Sequence, residues 1–295
     1  MTTPIFQHAL VGLELSTIDS RVLDYLHFID HQGMIAKTSF VHVVPWEFTV
    51  VAEENPSAWT LESLRKQVRQ QMHDEILVFY PDSVGKLEEV IVQPGDPLTE
   101  MIHLSNELDT RLLVIGQKAG TASHGILAKN LVRKTPAHAL IIPELSLTKI
   151  SRICVPVDFS DASAAAFQMA QQIARHLPGA IEVDLLHVYE NPNISAYKSL
   201  HVPQQMKEYL VESKQDAAKA FLKKYGDPEV QVTTYLAERK LFGIGSDVYH
   251  WALEHGADLL VMGAKGHSTL DLLLLGSVTE KLMSVNERIP TLIVK

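Results

Sequence analysis

The chain has 295 residues, enough for one large domain or two ordinary ones, and its 46% hydrophobic and 21% charged content is that of a water-soluble globular protein. Its net charge of −9 argues against nucleic-acid binding, which depends on Lys and Arg meeting phosphates. A single cysteine, Cys154, rules out an intramolecular disulfide; within the apolar run Ile153-Cys154-Val155 it is expected to be a small buried hydrophobe rather than a nucleophile.

The start Met1-Thr2-Thr3-Pro4 lacks a charged stretch followed by an apolar core. No apolar run approaches the roughly 18 residues of a membrane span. A soluble, cytoplasmic protein without a membrane partner is therefore expected. The acidity is uneven: residues 1–147 carry 11 basic and 18 acidic residues, and residues 148–295 carry 15 and 17. The second half would repel a polyphosphate less.

Taken in chain order, the first apolar run is His8–Ser16, which returns as Arg152–Ser160. Ser39–Val44 returns as Asp184–Tyr189, and Arg111–Gly116 as Asp258–Gly263. The proline-led run Thr135-Pro136 to Ile142 returns as Ile289-Pro290 to Val294. Four matches in one order indicate two copies of one domain, 1–147 and 148–295. Each run is short and continuously apolar, as in strands buried on both faces of a parallel sheet. Between them, Ala162–His176 has helical spacing with Ser160 as N-cap. Gln205–Tyr225 is amphipathic and ends at Gly226; Ser246–His255 follows, capped by Ser246 and stopped by Gly256. A further strand is expected near Val230–Leu236. Alternating strands and helices predict a doubly wound parallel sheet in each half.

Ligands of such sheets sit beyond the carboxyl ends of the strands. Beyond Leu259–Met262 the chain runs from Gly263 through Gly266 and His267 to Gly276, Ser277, Val278 and Thr279. Glycines let backbone amides approach a phosphate closely. Ser277 and Glu280 fit an S-x-x-E capping box, so a helix should begin at Ser277. Its free amides, with the Ser277 and Thr279 hydroxyls, would suit an anion.

The spacing Gly-x2-Gly-x9-Gly-Ser, met by Gly263, Gly266, Gly276 and Ser277, resembles the ATP signature of nucleotide-binding universal stress proteins. Val155-Pro156-Val157-Asp158-Phe159-Ser160 resembles that family's first strand, and the similarity runs over nearly the whole chain, twice. The resemblance implies two tandem, doubly wound five-stranded parallel sheets of the adenine nucleotide alpha hydrolase-like type, packed as an intramolecular pseudo-dimer. It implies adenosine contacts at Pro156, Val157 and Asp158, with Val188 nearby. It implies phosphate and ribose contacts at Gly263, Gly266, His267, Gly276, Ser277, Val278 and Thr279, with Met262 also among the nucleotide-binding residues. Asp158 could instead serve a local turn, and His267 could be a solvated loop residue. His42 and His187 occupy equivalent strand ends and suit structural roles; nothing points to a metal site.

The first copy departs from the pattern. From Gly116 to Pro136 is 20 residues against 27 from Gly263 to Pro290, no Gly-Ser pair follows, and the carboxylate stands at Glu14 after Gly12-Leu13. It is expected not to bind ATP in the family manner but to pack on the second copy, which would also pair the apolar edges 139–142 and 291–294. The expected function is regulation through an adenine nucleotide, ATP with or without Mg²⁺, with a homodimer or a regulatory protein as further partner. No pair of carboxylates stands out to hold Mg²⁺, although Asp271 could contribute. The rivals are an ATPase or adenylating enzyme on the same fold, or an interaction module without nucleotide. No G-x-x-x-x-G-K-[ST] loop occurs, and Val248 replaces the third glycine that Gly243-Ile244-Gly245 would need in a dinucleotide fingerprint. Neither HIGH nor SGGxD, motifs of related adenylating enzymes, occurs. At most slow ATP hydrolysis is expected.

Overall fold

The structure, a computed structural model, describes residues 3–46, 60–80, 87–120, 125–190, 204–241, 243–265 and 275–295. The chain divides into two compact units, Met1–Lys149 and Ile150–Lys295. The first unit contains β1 (Ala9–Gly12), α1 (Ile18–His31), β2 (Thr38–Val44), α2 (Leu61–Phe79), β3 (Leu87–Pro94), α3 (Pro97–Glu107), β4 (Leu112–Gln117), α4 (Ile126–Lys134) and β5 (His138–Pro143). The second contains β6 (Arg152–Pro156), α5 (Asp161–His176), β7 (Glu182–Tyr189), α6 (Gln204–Tyr225), β8 (Val232–Glu238), α7 (Ile244–Glu254), β9 (Leu259–Gly263), α8 (Ser277–Val285) and β10 (Thr291–Val294).

The strand order is β3-β2-β1-β4-β5 in the first unit and β8-β7-β6-β9-β10 in the second, with every pairing parallel. This is the doubly wound α/β fold twice over. Helices on both faces of a sheet leave its central strands dry, so β1, β4, β6 and β9 are almost wholly buried. In the second unit α5 seals its sheet with Phe167, Ala170, Ile173 and Ala174, the residues that recur at helical spacing. Its cap is the expected one: the Ser160 hydroxyl accepts the Ser163 N–H.

One expected helix start and one expected cap need correction, while α8 begins at Ser277 as expected. The helix placed at Ser246 begins at Ile244, with Gly243 as N-cap at a φ of 106°. Ser246 is already inside, its N–H donating to the Gly243 carbonyl. A glycine does this work because an L side chain is strained at such a φ. Likewise α8 is capped by Gly276, not Ser277, and has no side-chain capping bond. Ser277 is the first helical residue, so the Ser277–Glu280 capping box does not form; the Glu280 N–H donates to the Gly276 carbonyl. Among the described residues, no helix is long and apolar enough to cross a membrane.

Candidate functional site

In the second unit the chain winds outward from β6 to β7 and β8, then returns to lay β9 on the other side of β6. This reversal leaves a crevice between the carboxyl ends of β6 and β9. The described β6–β9 ladder stops at Cys154–Leu260, two residues before β6 ends. Pro156 supplies a reason. The Val157 N–H donates to the Leu186 carbonyl on β7, so by the alternation of a parallel strand the residue before it faces β9. That residue is a proline with no N–H to give. In the first unit Gly12 takes this place, and the β1–β4 ladder continues through Gly12–Ile115.

A cavity of about 300 Å³ opens at this point. Pro156, Val157 and Asp158 line it from the end of β6, and Val188 from β7. Met262 and Gly263 line it from β9, and Gly276, Ser277, Val278 and Thr279 from the start of α8. The structure thus brings together all ten described residues of the twelve expected from the sequence. Gly266, His267 and Asp271 lie outside the described residues.

One side of the cavity is apolar. Val157, Val188, Val248 and Met262 are all buried, and Ile244 joins them from the first turn of α7. His187, expected to be structural, also lines this side. Its Nδ1 lies 2.8 Å from the Val157 carbonyl oxygen, which can only accept, so Nδ1 carries the hydrogen. Burial pushes its pKa down, keeping the ring neutral at pH 7. Phe159 stacks on it at 4.6 Å from a left-handed φ of 66°. His42 makes the equivalent bond to Leu13, and Leu15 has the equivalent φ of 56°. Asp158 serves its turn, accepting the N–H and hydroxyl of Ser160.

The other end is electropositive. Lys265 lines the cavity, and the first turn of α8 presents backbone N–H groups that no described side chain caps. The Thr279 hydroxyl, expected to meet a ligand, instead donates to the Gly263 carbonyl at 3.0 Å and is buried. It ties α8 to the end of β9. Gly263 is needed by packing as well: a Cβ there would lie 2.8 Å from the Ala162 carbonyl oxygen at the start of α5.

Lys265, Ile244 and Val248 were missed by sequence reasoning. Lys265 had a local signal, its place inside the glycine motif. Ile244 and Val248 had none, since only the docking of α7 against α8 carries them to the cavity.

The equivalent corner of the first unit is built differently. Lys118, two residues after Gly116 as Lys265 is after Gly263, forms a 2.7 Å ion pair with Glu14. The Asp19 carboxylate accepts the N–H groups of Glu14, Leu15 and Ser16 at 2.6 to 3.3 Å. Burial pushes the Asp19 pKa up, against the pull of these donors. The Ala119 N–H is held by Glu144. Among the described residues, no group of three His, Cys, Asp or Glu could hold a metal ion.

A family model described as the universal stress protein family matches residues 149–295. A universal stress protein of Methanocaldococcus jannaschii is 31% identical over 148 residues, 49% of this chain and 81% of that protein. Among solved structures, a universal stress protein from Archaeoglobus fulgidus DSM 4304 superposes with a TM-score of 0.62 at 16% identity, covering 99% of this chain and 97% of its own. A putative universal stress protein from Pseudomonas aeruginosa UCBPP-PA14 gives 0.64 at 13%, covering 98% and 93%. At such identities these two speak for the fold alone, over nearly the full length. With the doubled parallel sheet and the sequence match in its second half, they lead to one conclusion: the chain belongs to the universal stress protein family.

Proposed function

We propose that the second unit is a nucleotide-binding module that holds ATP in the cavity between β6, β7, β9 and α8, and that its role is regulatory. The observation that carries this reading is the polarity of the cavity. An apolar slot of Val157, Val188, Val248 and Met262 suits a purine, and the uncapped start of α8 with Lys265 suits phosphates. Asp158, which lines the same cavity, would take a ribose hydroxyl.

The described residues that line the cavity do not favour hydrolysis. Asp158 is the one carboxylate lining the cavity among the described residues, and Ser160 engages one of its oxygens. Mg²⁺ therefore finds no described carboxylate pair, and no catalytic step is assigned to it. His187 is neutral and tied to Val157, which suits packing against a base.

In the first unit the Lys118–Glu14 pair and the Asp19 carboxylate take up the groups that a nucleotide would need. We therefore assign ATP to the second unit alone. Calorimetric titration tests both statements. One ATP per chain is expected, with affinity lost in Gly276→Val combined with Ser277→Ala. Undiminished affinity in that variant refutes the site, and two ATP per chain refutes the assignment of the first unit.

A further inference from the structure

A second groove, of about 500 Å³, runs between the start of α2 and the outer strand β3 of the first unit. Arg65, Lys66 and Arg69 line it from α2, and Ile91 and Gln93 from β3. Glu62 and Glu89 also border it, which leaves one net positive charge in a half of the chain that is otherwise acidic. Among the described residues, none of the three cations makes a hydrogen bond or ion pair with these carboxylates, and the Arg65 Nε is buried with no partner. Three cations lining one groove favour an anionic occupant.

The other wall sharpens the choice of acceptor. Among the described residues β3 pairs with β2 on one side and ends the strand order on the other, so its outer N–H and C=O groups face away from the sheet. From Glu62 to Arg69 the helix wall is about 10 Å long. From Glu89 to Gln93 the strand wall is about 13 Å long. A slot of this length with a row of backbone groups on one side and guanidinium groups on the other matches an extended chain better than a single ion.

We propose that this groove docks an extended acidic segment of a partner protein. The segment adds to the outer edge of β3, with its alternate carboxylates on the groove side meeting Arg65, Lys66 and Arg69. Guanidinium groups favour carboxylates through forked hydrogen bonds, and strand addition supplies the backbone bonds. The inference is independent of the nucleotide reading, since it involves the first unit only.

The test is fluorescence anisotropy of the full chain with a labelled octapeptide of alternating Glu and Val. Saturable binding is expected, weakening with salt, and falling about tenfold or more in Arg65→Glu combined with Arg69→Glu. The Lys-Val counterpart should not bind. An octapeptide with alternate backbone amides methylated should bind more weakly, because one edge of it can no longer pair. Circular dichroism checks that the double variant folds; if it does not, Lys66→Glu alone gives the same reading with a smaller loss. Absence of saturable binding, or equal binding by the folded variant or by the methylated peptide, overturns the proposal. So does concentration-dependent self-association that the variant abolishes, which would make a second copy of the chain the occupant. Aggregation of the variant without peptide binding by the wild type would reduce the cations to guards of the strand edge.

Discussion

Gly245 is the position where a single methyl group should register in both stability and ligand binding. A Cβ there would lie 2.7 Å from the Leu282 backbone nitrogen and 3.0 Å from the Lys281 Cβ, with the Val278 carbonyl oxygen closer still. Ordinary contacts begin near 3.5 Å, so α7 and α8 must separate by about 0.8 Å or more. The obstacles are mostly backbone, so no rotamer change relieves them. Overpacking of this kind costs about 1–3 kcal/mol, offset by about 0.5–1 kcal/mol because alanine suits a helix better than glycine. The net loss of roughly 0.5–2 kcal/mol should lower Tm by about 2–8 °C. The same separation moves opposite walls of the cavity, since Ile244 and Val248 belong to α7 and Ser277 and Val278 to α8. For Gly245→Ala, differential scanning fluorimetry should therefore report the lower Tm, and calorimetry an ATP affinity reduced about tenfold. A variant with wild-type Tm would refute the packing argument. One with lowered Tm but undiminished affinity would refute the coupling of these helices to the site.

Other consequences follow from single groups. Replacing Pro156 with Ala restores an N–H on the β9 side, so amide exchange at position 156 should be slow and ATP binding weaker; fast exchange there would contradict the account of the crevice. Cys154 is fully buried and burial pushes its thiol pKa up, so a thiol reagent should leave the native protein untouched and react only on unfolding. The depressed pKa of His187 means its contribution is complete above the ordinary value of about 6.5 and is lost as pH falls through the folded value. Between pH 7 and pH 5 the Tm of His187→Gln should therefore fall less than that of the wild type, and an equal fall would count against the burial argument. Buried Asn286 donates to the Ile289 carbonyl and the Thr291 hydroxyl oxygen and accepts the N–H groups of Arg288 and Ile289. Asn286→Ala should cost about 2–4 kcal/mol in chemical denaturation; a loss below about 0.5 kcal/mol would show that water replaces these bonds.

What the sequence made legible, and what it hid, divides along physical lines. Strand runs such as Leu259–Gly263 were readable because burial on both faces demands an unbroken apolar stretch, and the repeat made each run confirm its counterpart. The Ser160 cap was readable because its chemistry is local. The caps of α7 and α8 were not, because Ser246 and Ser277 are good caps by composition while Gly243 and Gly276 actually occupy the cap positions. The Gly243-Ile244-Gly245 triplet failed as a nucleotide fingerprint, yet both glycines are needed. One allows the φ of 106° at the start of α7, the other the close crossing onto α8.

The comparison of the two units carries the argument furthest. Leu15 and Phe159 share a left-handed φ, His42 and His187 share a bond to the end of the first strand, and Gly116 and Gly263 both yield to the helix that follows that strand. These features are common to both units and so belong to the fold. What differs is Gly12 against Pro156, Asp19 against Ser163, and a lysine held by Glu14 in one unit while its counterpart lines a cavity in the other. A glycine signature alone would have credited the loop with the whole site. The pairing of β6 with β9 stops at Cys154–Leu260, and a proline more than a hundred residues before the loop leaves the end of β6 without an N–H to extend it.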